Sequence, residues 1–360
     1  MAKKYITQDI LKKKTLADIF AFVLERGQST RREIEHETGF SWGTVSSNVA
    51  YLIEKGYVRE KRKETGGAGR ASCYLKAASE GIASIGIDIN RSGLCCEIVA
   101  LDSCVIKKFE EDFCAQTQAE LIEQAESLCR RALDWCKQGE IRVFSLGIAV
   151  QGSVNGRKGV CTRFTGIEGW RDYNIKEHFE KAFALPTYLG HDPKCMLLGE
   201  MHRRRCESCV LLRIDNAIGM AVLLDGRVLD GTERFELGHT LALDGTGKKG
   251  LTLEQCGTLS AVCAVRERKE TELFASPEKY EKELSEAGAH LSCAIYNVYT
   301  LFKPQRLVLT GKAVKLDSFT ESALSLLKEE KVEITVDSDI SAAFGAAVES
   351  MKSAIREFEF

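Results

Sequence analysis

The stretch from Thr30 to Arg70 leaves this chain the fewest choices. It reads TRREIEHETGFSWGTVSSNVAYLIEKGYVREKRKETGGAGR, a run of helix, turn, helix, strand and tip signals. Thr30 with Glu33 three residues later can close a capping box, starting a helix that carries Ile34 inward and stops at Gly39. Phe40 supplies a buried contact in the turn. Ser41 caps a second helix by accepting from backbone N–H groups that helix geometry leaves unpaired. From Trp42 onward, Val45, Val49, Leu52 and Ile53 form one apolar stripe at three- and four-residue spacing. That leaves Trp42, Gly43, Thr44, Ser46, Ser47 and Asn48 on the open side, where small polar groups can approach base edges and phosphates.

Gly56 ends this helix, Tyr57 and Val58 begin a strand, and Arg59, Lys61, Arg62 and Lys63 precede a glycine-rich tip at 66–70. Residues 72–75 can return as a second strand. A solvated helical hairpin with a charged turn is the plainer reading, but wing, basic run and polar face together predict a winged helix-turn-helix. Thr30, Arg31, Ser41, Trp42, Thr44, Ser46, Ser47 and Asn48 are then the expected contacts to double-stranded operator DNA. Arg70, behind Gly69, is either a minor-groove or phosphate contact or an ordinary surface arginine.

The net charge of −2 over 360 residues conceals a division. Residues 1–80 carry 15 Lys and Arg against 10 Asp and Glu, so the part that would meet phosphate is basic and the remainder acidic. Fourteen cysteines would suit a disulfide scaffold in a short secreted chain. Here they are scattered among apolar positions such as Cys95, Cys129, Cys161 and Cys293, as small buried thiols of a cytoplasmic protein would be. No stretch approaches the roughly 20 apolar residues of a membrane helix.

Beyond the basic segment, Tyr5 to Lys14 is a lead-in, Leu16 to Arg26 an amphipathic helix, and Lys76 to Gly81 a short linker. Strands are expected at Ile82 to Ile89, Leu94 to Leu101, Val105 to Phe109 and Val143 to Val150, with a helix over about Gln118 to Lys137. After Asp192 a helix to about Arg204 leads to strands Cys209 to Ile214 and Ala217 to Leu224. Helices then dominate through Phe302, followed by strand Leu307 to Thr310, helix Ala313 to Glu329, strand Val332 to Val336 and a last helix from Ile340. The alternation predicts two α/β lobes with a cleft for a small ligand.

In order, the chain carries GIDI at Gly86 to Ile89, GIEGWRDYNI at Gly166 to Ile175, LPTYLGHD at Leu185 to Asp192, ELGH at Glu236 to His239 and KPQRLVLTG at Lys303 to Gly311. Behind a winged helix-turn-helix, this succession resembles the transcriptional regulators of the ROK family, named for its repressors, open reading frames and kinases. The resemblance covers about residues 16 to 350. It implies an α/β fold: a winged helix-turn-helix over 1–78, then a two-lobed actin-like, ribonuclease-H-like sugar-kinase fold. Lobe 1 would span 79–190, lobe 2 191–340, and a helix over 341–360 would return to lobe 1. A sugar or sugar derivative is the implied effector, with Asp192, Glu236, His239 and Glu254 as its contacts. Carboxylates and imidazole suit a polyol because each can accept from adjacent hydroxyls. In a kinase Asp192 would be the general base.

Departures from the pattern argue against phosphoryl transfer. Where kinases read D-I-G-G-T-K, this chain reads Asp88-Ile89-Asn90-Arg91-Ser92-Gly93. The second phosphate loop has become Arg213-Ile214-Asp215-Asn216-Ala217-Ile218-Gly219, and the adenosine-side Gly-Gly is Gly311-Lys312. Bulkier side chains fit poorly around a polyphosphate, and such catalysis depends on positioning it. Zinc, which the family commonly holds through the motif histidine and a cysteine-rich stretch, lacks its cysteines: Thr240 to Gln255 contains none. Cys206 and Cys209 have ligand spacing but stand alone as a reduced pair. Gly166 and Lys194 stand where kinases have asparagine, and so does His191; Lys194 would favour an anionic sugar if it faces the ligand.

The expectation is a DNA-binding regulator, a repressor of carbohydrate genes, acting as a homodimer or higher homo-oligomer without metal, nucleotide, membrane or catalytic residues. An active ATP-dependent hexose kinase with an attached DNA-binding domain, or a regulator whose lobes are only a dimerisation scaffold, are the alternatives.

Overall fold

The computed structural model describes residues 8–62, 73–78, 80–90, 93–229, 235–242, 250–266 and 269–357. The chain divides into two compact units, one of Met1–Asp192 with Ala342–Phe360 and one of Pro193–Ser341.

The first unit begins with α1 (Gln8–Arg26), α2 (Arg31–Thr38) and α3 (Trp42–Glu54), followed by β1 (Val58–Arg62) and β2 (Cys73–Ala77) as an antiparallel pair. α2 is capped as its sequence dictates: Thr30 and Glu33 form the reciprocal capping box, and Gly39 ends the helix at φ 72°, where a side chain would be strained. Ser41 accepts from the Thr44 N–H to open α3. The expected linker over 76–81 is not a free connection. Lys76 and Ala77 belong to β2, and the buried Ala78 donates its N–H to the Tyr57 carbonyl.

Next come β3 (Ile82–Asn90), β4 (Gly93–Ala100), β5 (Val105–Glu111), α4 (Gln118–Gln138) and β6 (Arg142–Val150). After them β7 (Gly152–Asn155), β8 (Val160–Phe164) and β9 (Tyr173–Asn174) form a small antiparallel sheet, none of which the sequence reading assigned. α5 (Ile175–Phe183) and β10 (Thr187–His191) then lead to α6 (Asp192–Arg203), whose first residue ends this unit. The main sheet runs β10-β6-β3-β4-β5, with β10, β6 and β3 parallel and the rest antiparallel.

In the second unit, β11 (Cys209–Ile214), β12 (Ile218–Leu224) and β13 (Arg227–Val228) form the antiparallel side of another five-stranded sheet. Helices α7 (Leu253–Cys256), α8 (Leu259–Arg266), α9 (Glu270–Ala275) and α10 (Glu281–Phe302) precede β14 (Arg306–Thr310). α11 (Asp317–Ala323) then leads to β15 (Glu333–Val336). The order β13-β12-β11-β14-β15 repeats the first sheet's plan: three antiparallel strands, then two added in parallel. The helix expected over Ala313 to Glu329 is broken into 3-10 turns at Lys312–Lys315 and Ser325–Leu327 around α11. α11 packs tightly on α10: Gly288 lies so close that a Cβ there would be 2.3 Å from the Phe319 carbonyl oxygen.

The final helix, α12 (Ala342–Arg356), belongs to the first unit and covers one face of its sheet; α4 covers the other. Cover on both faces is why β3 is buried at every position but Asn90, its polar Ser84 and Asp88 included. α12 touches backbone directly, since a Cβ on Gly86 or Gly147 would lie about 2 Å from the carbonyl oxygens of Ala343 and Ala346. A buried chain of hydroxyls, Ser84 to Ser145 to Ser350, pins it further at 2.8 Å per link. Its far end, with Met351, Ala354 and Ile355, enters the core formed by Ile19, Phe20, Val23, Val49, Leu52 and Tyr57. One helix thus packs on both the winged helix and the sheet.

Candidate functional site

The first candidate site is the open side of α3. Trp42, at the helix start, is 48% exposed, Ser47 is exposed and Ser46 half-buried. The other expected DNA contacts have roles inside the fold. Thr30 accepts from Glu33, and the Thr44 hydroxyl lies 2.9 Å from that of Ser41. Asn48 donates to the Thr44 carbonyl at 2.8 Å, and Arg31 pairs with Glu60 of β1 at 2.6 Å, tying α2 to the wing strand. Arg70 lies outside the described residues. Two groups that sequence reasoning passed over share this region: Arg32, exposed on α2, and Tyr51, exposed one turn beyond Ser47 with the Lys55 ammonium 5.6 Å from its ring. Counting four residues on from Ser47 would have found Tyr51.

The second candidate is a polar cluster in the second unit. A 3-10 turn over Leu237–His239 carries the E-L-G-H residues, with Glu236 just before it. The chain then returns antiparallel to itself. The Ala242 N–H donates to the Leu251 carbonyl and the Leu253 N–H to that of Thr240, which sets α7 beside the turn. Glu236 and His239 thereby meet Glu254: His239 Nδ1 is 2.5 Å from Glu236 Oε2, and its Nε2 is 3.6 Å from Glu254 Oε2. Gly238 makes the approach possible, because a Cβ there would sit 2.6 Å from Glu254 Cγ. Glu254 Oε1 also accepts from the Ile218 N–H of β12 at 3.2 Å. These side chains remain 31–47% exposed, so a hydroxylated ligand can reach them. Asp192 belongs to the first unit, where it is buried with His191 Nε2 3.2 Å from its carboxylate.

The donors around His239 do not suit a structural zinc ion, which takes four nitrogen or sulfur ligands. One imidazole stands there between two carboxylates, and the following Cys256 turns its thiol to the Thr252 carbonyl at 3.2 Å. Among the described residues no cluster of three or more His, Cys, Asp or Glu side chains has metal-binding geometry. Cys209, of the C-x-x-C pair, is a buried thiol pushed up to about 12 chiefly by burial, and the Cys206 thiol turns to the Ser208 carbonyl at 3.4 Å. No helix among the described residues is long and apolar enough to cross a membrane.

Against known proteins, residues 84–348 match the family model described as ROK family. The chain is 20% identical over 342 residues to the DNA-binding transcriptional dual regulator NagC of Escherichia coli, covering 86% of this chain and 83% of the relative. It is 22% identical over 337 residues to the xylose repressor of Bacillus spizizenii, covering 86% and 84%. Among solved structures, a ROK family transcriptional regulator homologous to the E. coli MLC protein superposes with a TM-score of 0.79 at 19% identity, over 97% of each chain. A ROK family glucokinase from Streptomyces griseus superposes with a TM-score of 0.62 at 15% identity, over 74% of this chain and 98% of its own. The regulator extends over the winged helix as well as both units, whereas the kinase leaves about a quarter of this chain unmatched. With most of its length under the family model, the chain belongs to the ROK family.

Proposed function

We propose that this protein is a DNA-binding transcriptional regulator, a repressor of carbohydrate-metabolism genes, whose operator affinity is set by a sugar or sugar derivative. The observation that carries this reading is the joint in the first unit, where the winged helix shares one apolar core with α12 and the ends of β3 and β6. A DNA-binding element built into the core of a ligand-binding fold responds to strain in that fold. The relatives named as a transcriptional dual regulator and a xylose repressor support it.

In this reading Trp42, Ser46 and Ser47 of α3 face the bases, and Arg32, Tyr51 and the wing face the backbone. Glu236, His239 and Glu254 take the ligand hydroxyls, and Asp192 is a further contact on its motif match. The protein acts as a homo-oligomer, since a two-fold dimer reads symmetric half-sites. It uses neither zinc nor nucleotide and transfers no phosphoryl group. A ligand regulates only through its different affinity for the DNA-competent and DNA-released states.

The test is a thermal-shift screen against neutral hexoses, amino sugars, pentoses, sugar phosphates and ATP, followed by operator binding with and without the sugar that acts. One sugar raising the melting temperature and changing operator affinity is the expected result. Operator affinity indifferent to every sugar would favour the scaffold alternative, and sugar-dependent ATP turnover would replace the regulator reading with a kinase.

A further inference from the structure

Two of the loops that depart from the kinase pattern lie 97 residues apart and complete one another: Asp215 Oδ1 accepts the Lys312 backbone N–H at 2.5 Å. Asp215 Oδ2 accepts from Arg213 Nε at 2.7 Å, and the Lys312 ammonium reaches Glu270 Oε1 at 3.0 Å. The other oxygen of Glu270 accepts from the Asn216 amide at 3.0 Å, and Asn216 Oδ1 accepts from the Ser260 hydroxyl at 2.8 Å. Gly311 permits the closure. Its φ of 100° is one that side chains rarely adopt, and a Cβ there would lie 2.5 Å from the Ile214 carbonyl oxygen. Two cations and two carboxylates thus neutralise each other across the β11–β12 turn, the starts of α8 and α9, and the end of β14.

The ring is joined to the polar cluster through the same turn. The Asp215 carbonyl accepts the Leu259 N–H at the start of α8. Two residues beyond Asn216, the Ile218 N–H donates to Glu254, and the Thr258 hydroxyl donates to the Glu254 carbonyl. If the ring opens, α8 loses its tie to the turn and Glu254 its fixed donor.

We propose that Asp215, Asn216, Glu270 and Lys312 are positioning residues that hold Glu254 at the orientation the ligand requires, a role that rests on the assignment of Glu254 as a ligand contact. The ring is an internal device: it does from within the chain what a bound anion would otherwise do for these loops.

The experiment uses full-length protein with Glu270→Ala, Lys312→Ala, their combination and Lys312→Arg. Without ligand, amide exchange at Ile218 and Leu259 should quicken about three- to fivefold in each alanine variant, the scale expected for a partly exposed ion pair. The combination should exchange no faster than the worse single variant, because both break the same ring. Affinity for the sugar that stabilises the wild type should fall about three- to tenfold in both alanine variants and stay near wild type in Lys312→Arg, with little change in the ligand-free melting temperature. Unchanged exchange at Ile218 and Leu259, additive effects, or faster exchange with unaltered sugar affinity would each overturn the proposal. A wild type that takes no sugar defeats the function proposed above, and the exchange arm then decides the ring alone.

Discussion

The joint beneath the winged helix and the cluster around His239 are built on opposite principles. At the joint, Phe20, Tyr57 and Phe144 pack in succession, tilted and then edge-on, with ring centroids 5.3 and 6.0 Å apart, each nearly or wholly buried, and the Arg142 guanidinium lies 4.7 Å above the Tyr57 ring. Such packing transmits displacement because it has no room to absorb it. Around His239 the polar side chains are partly open to solvent. That arrangement adds little to stability and keeps the groups available to a partner. On the function proposed above, sensing and response fall to regions with different energetics, and substitutions should separate them.

The largest effect is expected at the joint. Phe144→Ala should cost about 3–5 kcal/mol by removing a buried ring and leaving a cavity. Its melting temperature should fall, and operator affinity should no longer follow the ligand even where sugar still binds. Retained ligand control in a folded Phe144→Ala protein would show that the response travels elsewhere. Glu254→Ala should do the reverse: sugar affinity about 10- to 100-fold weaker, the loss of a hydrogen bond to a charged group, with operator binding in the absence of sugar unchanged. Titration calorimetry beside a DNA-binding assay would read both.

Smaller effects test the boundaries of each region. Gly238→Ala should push Glu254 aside and weaken sugar binding by about 1 kcal/mol, roughly fivefold, without moving the melting temperature much. Arg59→Ala breaks a well-exposed pair with Glu80 at the edge of the joint and should cost under about 1 kcal/mol. Thiol alkylation followed by mass spectrometry probes the packing without mutation. Burial pushes the Cys129 and Cys161 thiols up to about 12, so at pH 8 nearly all of each is the unreactive protonated form. Cys114 and Cys104 are exposed and should label first, Cys104 the slower because the neighbouring Asp102 carboxylate raises its pKa.

Legibility in the sequence followed the range of the interactions. The α2 capping box, the Gly39 stop, the Ser41 cap and the α3 stripe involve residues within about one turn of each other, and all are present in the structure. Most strands of the two main sheets were visible as apolar runs. The small β7-β8-β9 sheet was not, because its strands of two to five residues are too short to show a period. The breaks in the expected helix over 313–329 were not legible either, since 3-10 turns of three or four residues leave no period of their own.

By itself the amino-acid sequence determined the order of the longer elements, the basic winged segment, and the loss of glycines that a phosphate-binding loop would use, since each is a property of neighbouring residues. Tertiary structure decided which partners their side chains meet. It paired Arg31 with Glu60 and Asn48 with the helix backbone, left Trp42, Ser47 and Tyr51 exposed, and drew Glu254 to His239 across a turn of the chain. It also made partners of Asp215 and Lys312. The physical reason is that a side chain's hydrogen-bonding groups are claimed by whatever the fold brings within about 3 Å, and that proximity is set by packing between distant segments.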